Sequence, residues 1–204
     1  PRIWDYWERN LDPDLFVDRT LEGQVKDRVV LITGGSAGIG KATAIRLAAA
    51  GAKVVITART QEKLDETCAE IATQGGQAFS YVCDGADLES VDRVMRQIEA
   101  DHGGVDILIN NAGRSIRRSV ALAYDRFHDF ERTMQLNYFG ALRMILRVLP
   151  GMDKRRRGHI VNISSIGVLG HPPRFSAYIA SKSALEAFSR CAAAEYSDRN
   201  IHFT

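Results

Sequence analysis

From Lys26 onward the chain alternates short β-branched runs with stretches of helix length, and this alternation constrains the fold more than any other feature. Val29–Ile32, Val54–Ile56, Ala78–Val82, Ile107–Ile109 and Ile160–Ile163 read as strands. The intervening segments 38–50, 61–74, 88–102, 127–149 and 176–199 carry helical periodicity. Strands separated by helices cannot pair as hairpins, so they are expected to lie parallel, joined by right-handed crossovers with helices on both sheet faces. The predicted fold class is α/β, a doubly wound parallel sheet.

The first strand runs directly into Thr33-Gly34-Gly35-Ser36-Ala37-Gly38-Ile39-Gly40, and Lys41–Ala50 continues as a helix. Glycines in that place allow a tight turn, a close approach of backbone N–H groups to phosphate, and close helix–strand packing. The helix N-terminus adds unpaired donors and a partial positive charge. Together they predict a Rossmann-type dinucleotide cradle built from Gly34, Ser36, Gly38, Ile39 and Gly40. The second strand ends in Thr57-Ala58-Arg59-Thr60. An NAD site generally places a carboxylate there for the ribose 2′-hydroxyl. Ala58 takes that place and Arg59 follows, and a guanidinium pairs with a 2′-phosphate that a carboxylate would repel. NADP(H) is therefore the expected cofactor, the alternative being a solvated arginine at a strand end.

Tyr178 and Lys182 stand four residues apart on a predicted helix, hence on one face. Upstream, the strand around Ile160 ends in Ser164-Ser165, at the carboxyl edge where parallel sheets bind ligands. A free phenol is a poor base at neutral pH. An ammonium about 4 Å away, at an effective dielectric near 20, favours a phenolate by ~4 kcal/mol. Such a pair exchanges a proton with a carbonyl oxygen that a serine hydroxyl also holds.

In this combination the sequence resembles the short-chain dehydrogenase/reductase family. The resemblance runs from about Lys26 to the end. It rests on the glycine turn, Asp84 after the third strand, Asn110-Asn111-Ala112-Gly113 after the fourth, Asn137 in the fifth helix, and Ser165 with Tyr178 and Lys182. The resemblance implies that Asp84 approaches the adenine, and that Asn111 through Gly113 support the cofactor and the central sheet. It makes Tyr178 the acid/base and Ser165 the substrate orienter, Ser165 being preferred to Ser164 because the family's serine lies thirteen residues before its tyrosine. It also has Lys182 hold the ribose and acidify the phenol, with Asn137 positioning a water that relays protons to Lys182. A homo-oligomer is a further implication.

A narrower resemblance concerns the flank Trp4-Asp5-Tyr6-Trp7-Glu8-Arg9-Asn10-Leu11-Asp12-Pro13-Asp14-Leu15-Phe16 and the run NNAGRSIRRSV at 110–120. Both are similar to the C-terminal reductase module of bacterial two-domain fatty acyl-CoA reductases. By that likeness residues 1–24 form a linker to an upstream reductase domain, and residues 25–204 form the dinucleotide-binding catalytic domain. The substrate would be a fatty aldehyde or an acyl-derived carbonyl, with Arg114, Arg117 and Arg118 placed to meet CoA phosphates or a partner domain, the alternative being a solvated loop or helix start. The chain begins with proline and stops in Ile201-His202-Phe203-Thr204, which reads as a new strand. The part of the fold that closes over nicotinamide and substrate is thus expected to be missing at the C-terminus, the chain being a segment of something longer.

Composition excludes other classes. Among 204 residues, 27 basic against 25 acidic side chains leave a net charge of +2, no footprint for nucleic acid. No apolar run approaches the ~18–20 residues of a membrane span, and no signal-peptide pattern opens the chain. Cys68, Cys83 and Cys191 show no metal or redox spacing and read as reduced, cytoplasmic thiols. The five histidines are scattered, so no metal is expected. Lys154-Arg155-Arg156-Arg157, just past the predicted fifth helix, reads as a solvated turn. The function expected is an NADP(H)-dependent oxidoreductase interconverting carbonyl and alcohol. A 3-ketoacyl or small-ketone reductase and a non-catalytic nucleotide-binding scaffold remain as alternatives.

Overall fold

The computed structural model describes residues 20–204. The aromatic flank from Trp4 to Phe16 lies outside the described residues. The first helix of the described residues, α1 (Leu21–Val25), is capped by the Thr20 hydroxyl, which accepts from the Gly23 N–H at 3.0 Å. Val25 is buried in a core cluster with Val30, Leu47 and Ala52.

Strand β1 (Val29–Thr33) leads into α2 (Gly38–Ala49), and β2 (Lys53–Ala58) into α3 (Gln61–Thr73). Next come β3 (Gln77–Val82), α4 (Leu88–His102) and β4 (Ile107–Asn110). A long loop with a 3₁₀ turn at Val120–Leu122 reaches α5 (Phe127–Met134), which passes through a π turn (Gln135–Gly140) into α6 (Ala141–Arg155). The chain continues through β5 (Gly158–Asn162), the single turn α7 (Gly167–Gly170), α8 (Ser176–Glu195) and β6 (Ile201–Phe203). The six strands lie in the order β3-β2-β1-β4-β5-β6, all parallel. This is the doubly wound Rossmann arrangement expected from the alternation, with the chain reversing direction across the sheet between β1 and β4.

Side-chain alternation along the strands builds two cores. Val29 and Leu31 of β1 face α4, α6 and α8, packing with Val91, Ile98, Ile145, Met152 and Leu185. Val30 and Ile32 face the other way, onto Leu47 of α2 and Leu64 and Ile71 of α3. All five residues of β1 are buried, as a central strand covered on both faces requires. In register, Thr33 meets Thr57 and Asn110 meets Asn162, so four strands end level at one edge. The site lies along that edge. Among the described residues no helix is long and apolar enough to cross a membrane.

The helix expected over 127–149 is interrupted by the π turn and runs on to Arg155, through Pro150. Pro150 removes one backbone donor, but on an exposed side of the helix where water reaches the carbonyl left free. Lys154 and Arg155 therefore form the last helical turn, where their charge complements the helix dipole. Asn137 accordingly sits on the π turn and not in a regular helix.

Candidate active site

The glycine turn is shaped by what surrounds it. Gly34 takes φ +67°, a left-handed conformation that suits glycine, and its N–H donates to the Thr57 carbonyl at 2.8 Å. At Gly40 a methyl group would run into the Gly34 carbonyl oxygen and come within 2.5 Å of Asn111 Nδ2. The helix α2 thus lies directly on the turn that precedes it. Its N-cap, Ala37, offers no side-chain acceptor, so the first helical N–H groups remain available. Ile39 is exposed on the first turn and Ser36 is half-buried.

In front of this turn lies a cleft of about 510 Å³. Gly34, Ser36, Arg59, Asp84 and Gly113 all line it. Lys63 from the first turn of α3, Arg114 and Arg132 join them, so four cations face one carboxylate. A glycine cradle that a Cβ would fill, free donors at a helix N-terminus and a cationic cleft fit a phosphorylated dinucleotide. Asp84 is exposed, and its carboxylate turns back to accept from the Ala86 N–H at 3.0 Å. Asn111 braces the cradle: Nδ2 donates to the carbonyls of Thr33 (3.0 Å) and Gly34 (3.2 Å). The N–H groups of Asn111 and Ala112 donate to Thr33 Oγ1 at 3.1 and 3.0 Å. Thr33 is thus a site residue that the sequence reading passed over, although it opens the glycine motif.

Tyr178 and Lys182 lie four residues apart on α8, half-buried and buried respectively. Lys182 is 4% exposed, and its ammonium donates to the Ile163 carbonyl at 2.6 Å. Burial pushes its pKa below the ordinary lysine value. A methyl on Gly113 would stand 3.6 Å from Lys182 Nζ and 3.5 Å from Asn137 Oδ1. The loop after β4, the π turn and α8 therefore meet at Gly113. Ser165 reaches the same helix from β5: a methyl on Gly167 would collide with Ile179 Cδ1 and stand 3.3 Å from Ser165 Oγ. Ser165 Oγ accepts from the Gly167 N–H at 3.1 Å, while Ser164 is exposed and faces Glu186. Tyr178 and Ser165 do not line the 510 Å³ cleft, which reaches this region through Gly113.

Asn137 is almost fully enclosed and its amide is engaged by protein. Oδ1 accepts from the Arg114 N–H (2.8 Å), and Nδ2 donates to the Arg114 carbonyl (2.8 Å) and to Ser181 Oγ (2.9 Å). Ser181 Oγ in turn donates to the Tyr178 carbonyl at 2.7 Å. Both amide hydrogens are used, so the Asn137 side chain clamps the loop after β4 to the Tyr178 turn. Ser181, fully buried, is a second residue the sequence reading missed; its only signal was its place one residue before Lys182. Of the arginines at 114–118, Arg118 is held by Asp129 at 3.0 Å, Arg117 is exposed, and Arg114 lines the cleft.

Comparison with known proteins bears on the family and the fold. A family model described as short chain dehydrogenase matches residues 28–204. A fatty acyl-CoA reductase of Acinetobacter baylyi is 59% identical over 180 residues, covering 88% of this chain and 61% of that protein. The chain thus spans about three fifths of the length of that curated relative. A metagenomic short-chain oxidoreductase solved in complex with NADP superposes with a TM-score of 0.84 at 32% identity, over 88% of this chain and 81% of its own. An NAD⁺-bound xylitol dehydrogenase superposes with a TM-score of 0.82 at 33% identity, over 87% of this chain and 68% of its own.

Proposed function

The chain belongs to the short-chain dehydrogenase family, an oxidoreductase family that uses nicotinamide cofactors, and from that premise we propose that it reduces a fatty aldehyde or acyl-derived carbonyl with NADPH. The observation that carries the proposal is the meeting of Lys182, Asn137 and the Gly113 loop one helical turn from Tyr178. The nicotinamide, when bound, supplies a hydride to the carbonyl carbon. Tyr178 gives its phenolic proton to the carbonyl oxygen, and the Ser165 hydroxyl hydrogen-bonds the same oxygen. The Lys182 ammonium, fixed by the Ile163 carbonyl, favours the phenolate that results. The Asn137 side chain clamps the Arg114 backbone against this cluster, and Asn137 is also assigned the water that relays protons to Lys182.

Phosphate selectivity is assigned to Arg59, with Lys63 beside it in the same cleft. The NADP-bound and NAD-bound structural neighbours do not separate the two cofactors, so the assignment rests on Arg59 and the missing carboxylate at Ala58. An apolar substrate is supported by Ile166 and Leu169, 82% and 73% exposed beside Ser165, and by the name of the Acinetobacter relative. A catalytic domain over 25–204, carrying an upstream domain through its flank and assembling as a homo-oligomer, completes the proposal.

The test is NADPH consumption by the full-length protein against aldehydes of rising chain length, 3-ketoacyl thioesters and small ketones. Turnover rising with aldehyde length is expected. Preference for the ketones would favour a 3-ketoacyl or small-ketone reductase, and cofactor binding without turnover on any carbonyl would favour a scaffold.

A further inference from the structure

Asp129 is a buried carboxylate, 3% exposed, that the reaction above does not use. Three arginines converge on it. Arg118 Nε donates at 3.0 Å, Arg126 Nε at 3.2 Å and an Arg132 terminal nitrogen at 2.5 Å, with His128 Nε2 3.3 Å away. Arg132, then Arg126 and Arg118, hold its carboxyl at about 2 against the opposing effect of burial, so it stays ionised through the neutral range.

Arg118 differs from the other two arms. Its backbone N–H donates to the Arg174 carbonyl at 2.7 Å, while its side chain is held by Asp129. Arg174 adopts φ +74° two residues before α8, which carries Tyr178. The loop after β4 is therefore gripped twice, at Arg114 by Asn137 and at Arg118 by Asp129. The first grip reaches the Tyr178 turn itself through Ser181, and the second reaches the segment before it through the Arg118 N–H and the Arg174 carbonyl. Both gripping residues lie on the α5–π-turn unit, and α5 packs on α8.

We infer that Asp129 and Arg118 are positioning residues, a strap that sets the spacing between the Gly113–Arg114 loop and the entry to the Tyr178 helix. The inference rests on the Tyr178 reading given above. Misplacement of a reacting group by about 1 Å costs up to ~100-fold in rate, so a loosened strap shows in turnover before it shows in cofactor affinity.

The experiment compares Arg118→Ala, Arg118→Lys and Arg126→Ala in the full-length protein. The readouts are kcat with a long-chain aldehyde, NADPH Kd, and hydrogen exchange of segments 111–119 and 171–176. Arg118→Ala is expected to lower kcat about tenfold or more while NADPH Kd stays within about twofold, and to raise exchange in both segments together. Arg118→Lys, which keeps a cation toward Asp129, recovers part of kcat. Arg126→Ala removes an arm of the same ion cluster that lacks the Arg174 link, and leaves kcat within about twofold. Equal losses in Arg118→Ala and Arg126→Ala, or faster exchange in 111–119 alone, would overturn the strap. If Arg118→Ala does not fold, Arg118→Gln gives the same comparison. If the wild type turns over no carbonyl, the functional proposal fails, and coupled or uncoupled exchange still decides the strap.

Discussion

Arg59 and Lys182 carry the two charges on which the functional reading turns, and they act in opposite surroundings. Arg59 is exposed at the end of β2, so its contribution to a bound 2′-phosphate is that of a charge-assisted contact with one face in water. Arg59→Ala is expected to weaken NADPH binding by roughly tenfold, with NADH binding nearly unchanged. Titration by cofactor fluorescence checks it, and equal losses would remove the basis for NADP. Lys182 is buried, which lowers its pKa from 10.5. The unfolded chain then keeps that proton to a higher pH than the folded one. Stability attributable to Lys182 therefore rises as the pH climbs from its depressed value toward 10.5. Denaturant melts of wild type and Lys182→Met across that range should show the wild type gaining on the variant with rising pH, and a constant gap would contradict this.

At the scale of elements, the cradle is set by packing that tolerates no added atom. Gly40→Ala would press a methyl on the Gly34 carbonyl and Asn111 Nδ2. It is expected to cost about 1–3 kcal/mol by overpacking and to lose cofactor affinity as well. Chemical denaturation with a parallel NADPH titration reads both, and an unchanged affinity would argue against the cradle. This turn was legible because glycine, strand and helix signals coincide within a dozen residues. The π turn at Gln135–Gly140 was not, since apolar periodicity barely registers one inserted residue. At its end Gly140 packs so closely on the Gly85 carbonyl that a side chain there would collide. Pro150 likewise reads as a stop, yet the buried Val148, Leu149 and Met152 keep the helix going past it. Asp129 carried no signal in the sequence, because Arg118, eleven residues upstream in the loop after β4, joins Arg126 and Arg132 around it only when that loop folds back.

Across the whole molecule, the strand order brings the glycine turn, Asp84, Asn111, Ser165 and the front of α8 to one edge of one sheet. Two cores on opposite sheet faces hold that edge, which gathers residues 145 positions apart, from Thr33 to Tyr178. In the proposed reaction a proton passes between Tyr178 and a carbonyl while Lys182 sits buried one turn along the helix. The most direct measurement is kcat for NADPH-dependent aldehyde reduction by Tyr178→Phe, alongside its NADPH Kd. Loss of roughly 100-fold or more in kcat with Kd unchanged within about twofold is predicted, since a positioned proton donor contributes on that order. Turnover retained within a few-fold of wild type would contradict it.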